Sequence, residues 1–267
     1  MAKDAPAPSP RDLIHTAIWR EEAEDDNAFA ARAAFCRGYD VFGAMVGNAR
    51  WVEMLWLLLR QELPPPAALD TLEALAVALA NPGPRDPSVH AAMCGAVGGS
   101  TAAASLIAAL SVGAGRVGGA REVHDAMTMW QQCGADLAAW RIWSVPAPDA
   151  TIEVWPARGH VPGFDPHGVS TPLAVRQLLA AALHKGAGER TVWLLANLDA
   201  AQETIGLPLA IGGAAAAILS DLGFTPQEGE MLYLLLRLPG AAAHALEQSA
   251  GGFKQFPFYS VELQEAA

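Results

Sequence analysis

The sequence predicts an all-α protein. Apolar residues recur at helical spacing in nearly every segment, proline and glycine clusters cut the chain at intervals a short helix would fill, and no run reads as a convincing strand. Hydrophobic residues make up 52% of the 267 and charged residues only 17%. Charge usually reaches about a quarter of a soluble chain, so a large core can be buried here and general disorder is excluded. The length admits one large domain or two small ones.

The elements follow in order. Trp51, Met54, Leu55 and Leu58 mark one helical face, and Pro64-Pro65-Pro66 ends that helix. Leu72, Leu75, Val77 and Leu79 mark the next, stopped by Asn81-Pro82-Gly83-Pro84. Ser88 is placed to cap a small-residue helix running to Ala96, and Thr101 to Val112 forms another. Val123, Ala126, Met127 and Trp130 form a further stripe. Val145 to Gly168 is irregular, with five prolines and three glycines. Thr171-Pro172 caps and opens a helix to His184, and Val192 to Ala201 and Pro208 to Leu222 are helical. Thr225-Pro-Gln-Glu228 is a capping box that starts a helix to Leu236. Leu238-Pro239-Gly240 is expected to break it, with a resumption over Ala241 to Ser249 and an extended tail from Gly251. The alanine and glycine content lets helix axes approach closely, which suits a multilayer interior.

Charge and cysteine usage exclude several functions. Seventeen basic against twenty-eight acidic residues give a net charge of −11, which argues against nucleic-acid binding. An anionic small molecule held by local arginines remains compatible. The three cysteines, Cys36, Cys94 and Cys133, form no C-x-x-C pair, so neither a disulfide framework nor a zinc ribbon is indicated. Met1 to Arg11 lacks the apolar core of a signal peptide, and Ile205 to Leu219 is short of the about 20 residues a membrane span needs. A cytoplasmic protein with no membrane contact is expected.

Familiar motifs are weak here. Gly113-Ala-Gly-Arg-Val-Gly118 matches G-x-G-x-x-G, but a helix pattern precedes it where a dinucleotide site needs a strand, so it reads as a turn between helices. The seven histidines show no zinc-helix spacing, so no metal is expected. No G-x-S-x-G elbow exists, and Ser100 after Gly98-Gly99 lacks the later glycine. Arg237 stands apart: it follows the apolar run Met231 to Leu236, where a guanidinium must pair, snorkel or meet an anion. An ion pair with Glu247 or Glu230 and a carboxylate ligand are both open readings.

Several segments, taken in order, resemble the citrate synthase superfamily in its short, citryl-CoA lyase-like form. Arg37-Gly-Tyr-Asp-Val41 resembles R-G-Y-D-[IV]. Trp51 to Pro64 is similar to the family's F-x-E-x-x-x-L-L-x-G-x-L-P helix, and Pro87-Ser88 to the P-S that opens the next. Gly118-Gly119-Ala120 matches the G-G-A after a catalytic histidine. Gly159-His160 with Asp165-Pro166 looks like G-H-R…D-P-R, and Pro162-Gly-Phe164 offers P-G-F-G-H as an alternative register. Leu207-Pro208-Leu209 with Ala214 to Phe224, and Arg237 to Glu247, resemble L-P-x-N-V-D-G-A…D-L-G-F and R-x-x-G-x-x-A-H-x-x-E.

The resemblance implies a homodimer with a large helical domain, residues 1–125 and 206–267, and a small one, 126–205. The cleft between them would take a CoA thioester and a di- or tricarboxylate as substrates, with no further cofactor. His160 would be catalytic, and Arg237 and His167 would bind substrate. Enol formation at a thioester needs a base and a donor to the oxygen together. Here the family's histidine before Gly-Gly-Ala is Val117, its aspartate is Gly212 with Ala210 in the asparagine place, its D-H-G histidine is Pro82, and its D-P-R arginine is His167. Valine cannot donate to an enolate and glycine cannot take a proton. Three readings follow: an enzyme that makes or breaks a carbon–carbon bond with relocated groups, a degenerate homologue that binds a CoA ester or polycarboxylate, and a structural or regulatory partner of an active relative. His90 and His124 are candidates for relocated roles, against the plainer reading of helix-surface histidines.

Overall fold

A computed structural model describes residues 15–143 and 159–255. The expectations for the N-terminal Ala/Pro segment, for most of the irregular stretch and for the tail beyond Gln255 lie outside the described residues. The chain divides into two compact units, Met1–Pro65 and Pro66–Ala267.

The first unit corrects the expectation of no strands. β1 (Trp19–Ala23), β2 (Ala31–Cys36) and β3 (Tyr39–Asp40) form an antiparallel sheet in that order, with Arg20 opposite Phe35 and a register shift at Glu22/Ala23. β1 reads Trp-Arg-Glu-Glu-Ala and is exposed along most of its length, so no apolar alternation announces it. A π-turn over Val41–Met45 follows, capped by the Asp40 carboxylate, which accepts from Gly43 N at 2.9 Å. Helix α1 (Trp51–Leu59) then buries Val52, Leu55, Trp56 and Leu57.

The second unit is helical: α2 (Pro66–Leu79), α3 (Pro87–Val97), α4 (Ala102–Gly113), α5 (Ala120–Cys133), α6 (Leu137–Ile142), α7 (Leu173–His184), α8 (Glu189–Ala196), α9 (Leu198–Ile205), α10 (Ile211–Asp221) and α11 (Pro226–Gly251). The mainly helical fold is therefore as expected. α10 is central: every residue from Gly213 to Leu219 is buried, and the helix packs on α5, α8, α7, α11 and α2. Only a helix of glycine, alanine and two aliphatics can be enclosed on all sides at such close spacing. A second layer joins α3, α4 and α11 through Val89, Ala92, Met93, Ala109, Ala241 and Ala245. Among the described residues no helix is long and apolar enough to cross a membrane.

Several local expectations change. The single helix expected over Val192 to Ala201 is two, α8 and α9, divided at Asn197. The cap of α3 is Asp86, not Ser88, because Pro87 takes the first helical position and Asp86 accepts from Ser88 N at 2.9 Å. Thr171 does not cap α7. Its hydroxyl donates to Gln202 Oε1 at 3.1 Å and accepts from Leu209 N at 3.0 Å, so the helix begins after Pro172. Pro239 does not end α11, which runs through it. The proline does break the hydrogen-bond ladder, and Gly240 N instead donates to Ala80 O at 2.7 Å, beyond the end of α2. A side-chain carbon at Gly240 would lie 2.7 Å from both Ala80 O and Asn81 Cα, so only glycine permits this approach.

Candidate functional site

The site grows from the first turn of α5. Gly118 turns the chain with φ +69 and Gly119 caps the helix. Glu122 stands in the first turn, and its carboxylate accepts from Gly118 N, from Gly163 N at 2.9 Å and from His160 Nε2 at 3.1 Å. The Glu122 and His160 side chains are each 5% exposed. Burying a carboxylate costs several kcal/mol unless its lone pairs are met, and three donors meet them here.

The loop that carries His160 is fixed from two directions. Gly163 O accepts from Ala210 N at 2.9 Å and Asp165 N donates to Pro208 O at 2.8 Å, which pins the loop to the start of α10. Phe164 packs edge-on to Trp140 at 6.3 Å, within a cluster that includes Trp130 and Trp193. His160 is thus held in place by its neighbours' backbone and by Glu122.

α11 brings in the other half. Arg237 pairs with Asp86, whose other oxygen accepts from Ser88 Oγ at 2.5 Å as well as from Ser88 N. Its partner is therefore neither Glu247, which lies beside His244, nor Glu230, which lies beside Arg121. The Arg237 guanidinium sits 4.8 Å from the Tyr233 ring centroid. Tyr233 is itself buried. Burial pushes its phenol above the ordinary value, the Arg237 charge opposes this, and the carboxylates of Asp86 and Glu122 add to it. A side-chain carbon at Gly212 would lie 3.9 Å from the Tyr233 hydroxyl and 3.5 Å from Val123.

His160 is thus paired with Glu122, and Arg237 with Asp86 beside Tyr233. His167 is outside both pairs: the residue is exposed, and its backbone N–H donates to Asp165 at 2.9 Å. Val117 is 64% exposed in the turn before α5. His124 is not a surface histidine. Its Nδ1 lies 3.0 Å from the buried carboxylate of Asp125, which Arg121 also approaches at 3.5 Å.

Sequence reasoning missed Asp86, Glu122 and Tyr233. Asp86 carried a signal, since Asp before Pro is a helix start. Glu122 carried a fainter one: it stands four and seven residues before the buried Ala126 and Met129, an acid on an apolar face.

Comparison with solved structures covers the chain from end to end. Citryl-CoA lyase from Hydrogenobacter thermophilus superposes with a TM-score of 0.68 over 96% of this chain and 98% of that one, at 21% identity. The chain has the citryl-CoA lyase fold. The same citrate synthase-like fold appears in ATP citrate lyase from Methanothrix soehngenii with citrate and coenzyme A, at TM-score 0.70 and 16% identity. It appears again in a D541A variant of Methanosaeta concilii ATP citrate lyase with (3S)-citryl-CoA, at TM-score 0.66 and 16% identity. Each match to these longer enzymes takes in 43% of their length. No protein-family model matches the chain, and no curated protein matches it.

Proposed function

We propose that the protein is a citryl-CoA lyase-like protein acting on a CoA thioester and a carboxylate, by cleavage or formation of a carbon–carbon bond. The observation that carries this is the end-to-end likeness to citryl-CoA lyase, at nearly equal length. The ATP citrate lyases of the same fold hold citrate, coenzyme A and citryl-CoA, which are the ligand classes this reading assigns here. In this reading the Tyr233 phenol serves as a donor to a carbonyl oxygen, and the Glu122–His160 pair as the proton-transferring group.

A second reading has specific support. Val117 and Gly212 carry no proton-transferring side chain, and Arg237 already meets a carboxylate, so a homologue that binds a CoA ester or polycarboxylate without turnover is the alternative. A role as a structural or regulatory partner of an active relative is the third. A citryl-CoA cleavage assay beside a thermal-shift screen of CoA esters and polycarboxylates separates them. Cleavage supports the enzyme, stabilisation without turnover the binding protein, and neither the partner role.

The working unit in this reading is a cytoplasmic homodimer, with large (1–125, 206–267) and small (126–205) domains closing on the ligand. α4 supports the dimer: it carries no charged residue, yet Ile107 and Val112 are exposed, as are Met231, Leu235 and Leu246 on α11. Light scattering that gave a single 27.9 kDa species at micromolar concentration would overturn it.

A further inference from the structure

We propose that Asp86 is an internal carboxylate standing in a ligand's place on Arg237, so that a carboxylate reaching this arginine must displace it. This rests on the reading of Arg237 as a carboxylate-binding position.

The geometry is unequal between the two partners. The Arg237 side chain is 7% exposed and that of Asp86 18%, so the acid lies on the solvent side of the pair. Asp86 ends a turn, Asn81-Pro-Gly-Pro-Arg-Asp86, in which Gly83 has φ +87 and Pro84 and Arg85 are exposed. One carboxylate oxygen caps α3 through Ser88, and the other meets Arg237. Arg237 also borders a cavity of about 10 Å³, with Ser88, Gly113, Leu234 and Ala241. That volume is room for one water molecule. The guanidinium is therefore bounded by the more exposed acid on one side and a small void on another.

Charge leads to the same conclusion. A buried guanidinium holds a carboxylate by charge-assisted hydrogen bonds, and an arriving anion would meet Asp86 as a like charge. Asp86 pairs with Arg237, so an incoming carboxylate finds no unpaired guanidinium there. Asp86 thereby sets which ligands enter: those whose carboxylate outcompetes a tethered one.

Acetate titration of the full chain, read by thermal shift and calorimetry against chloride at equal ionic strength, tests the idea. Asp86→Asn keeps a capping oxygen for Ser88 N and removes the charge. It is expected to bind acetate at least ten-fold more tightly than the wild type, and Asp86→Asn with Arg237→Gln is expected to lose that binding. Asp86→Ser, which also retains a cap and leaves more space, is expected to behave alike. If either variant is unfolded without ligand, recovery of the fold in formate or acetate but not chloride supports the proposal, and no recovery overturns it. Equal acetate affinity in wild type and folded variants, or binding that survives Arg237→Gln, overturns it too. The titration needs neither a CoA ester nor turnover, so its failure leaves the lyase reading standing, and failure of the CoA-ester screen leaves this one.

Discussion

Gly163 and Gly213 meet backbone to backbone. A side-chain carbon on Gly213 would run into the carbonyl oxygen of Gly163 and lie 2.7 Å from Leu209 Cδ1, and one on Gly163 would lie 2.7 Å from Gly213 Cα. The contact lets the His160 loop sit directly on the first turn of α10.

The neighbouring glycine differs. At Gly212 an added carbon makes ordinary contacts, 3.5 Å to Val123 and 3.9 Å to the Tyr233 hydroxyl. Gly213→Ala is expected to destabilise the fold by about 2–3 kcal/mol through overpacking. Gly212→Ala is expected to change it by no more than about 1 kcal/mol, with helix propensity favouring alanine. Urea unfolding of both variants checks this, and equal losses would contradict the packing described.

Room for a side chain is not the same as catalysis. Val117→His with Gly212→Asp supplies the residue types that the resemblance in sequence expects at these positions, and an added carbon at Gly212 makes only ordinary contacts. Strong citryl-CoA cleavage is nonetheless not expected, because Arg237 stays paired with Asp86. A double mutant that turned over at ordinary enzyme rates, on the order of 1–1000 per second, would show that the rest of the site is intact.

Tyr233 makes alkaline stability a readout. Its phenol is held above the ordinary value of 10.0, so the unfolded chain releases this proton first as pH rises. The contribution is fully present below about pH 10 and is lost as pH climbs through the folded value, at up to about 1.4 kcal/mol per pH unit. Tyr233→Phe should lack that slope. Wild-type and variant unfolding curves are expected to run parallel below pH 10 and to diverge above it, and parallel curves throughout would refute the assignment.

The thiols should separate by burial. Cys36 is 0% exposed, and burial pushes its thiol above the ordinary value, whereas Cys94 is exposed on α3. An aromatic disulfide reagent is expected to modify Cys94 in the native protein and Cys36 only after unfolding. Early labelling of Cys36, mapped by mass spectrometry, would place it at the surface instead.

Much of the helical frame could be read from residues one turn apart. The Thr225 box opens α11 as expected, with Thr225 Oγ1 accepting from Glu228 N at 3.3 Å, and the Val123–Trp130 stripe is buried. What escaped depends on distant partners. β1 is held by backbone pairing to β2, and its charged residues carry no period. Pro239 obeys its local rule by breaking a hydrogen bond, yet the helix continues because Gly240 finds Ala80. The site was half legible for the same reason. His160 and Arg237 could be singled out by type and place, but their partners lie 38 and 151 residues away along the chain.

The bond between Gly240 and Ala80 has a consequence for how the molecule is made. The last carbonyls of α2 have no donor within their own helix, and that of Ala80, just beyond it, accepts from an amide 160 residues later. During synthesis from the N-terminus, α2 is made long before Gly240, and water meets that oxygen until Gly240 arrives. Native closure of the second unit therefore waits on α11. Chains cut short before α11 would carry an open seam along α2 and α3, which is the kind of surface that chaperones and proteases recognise.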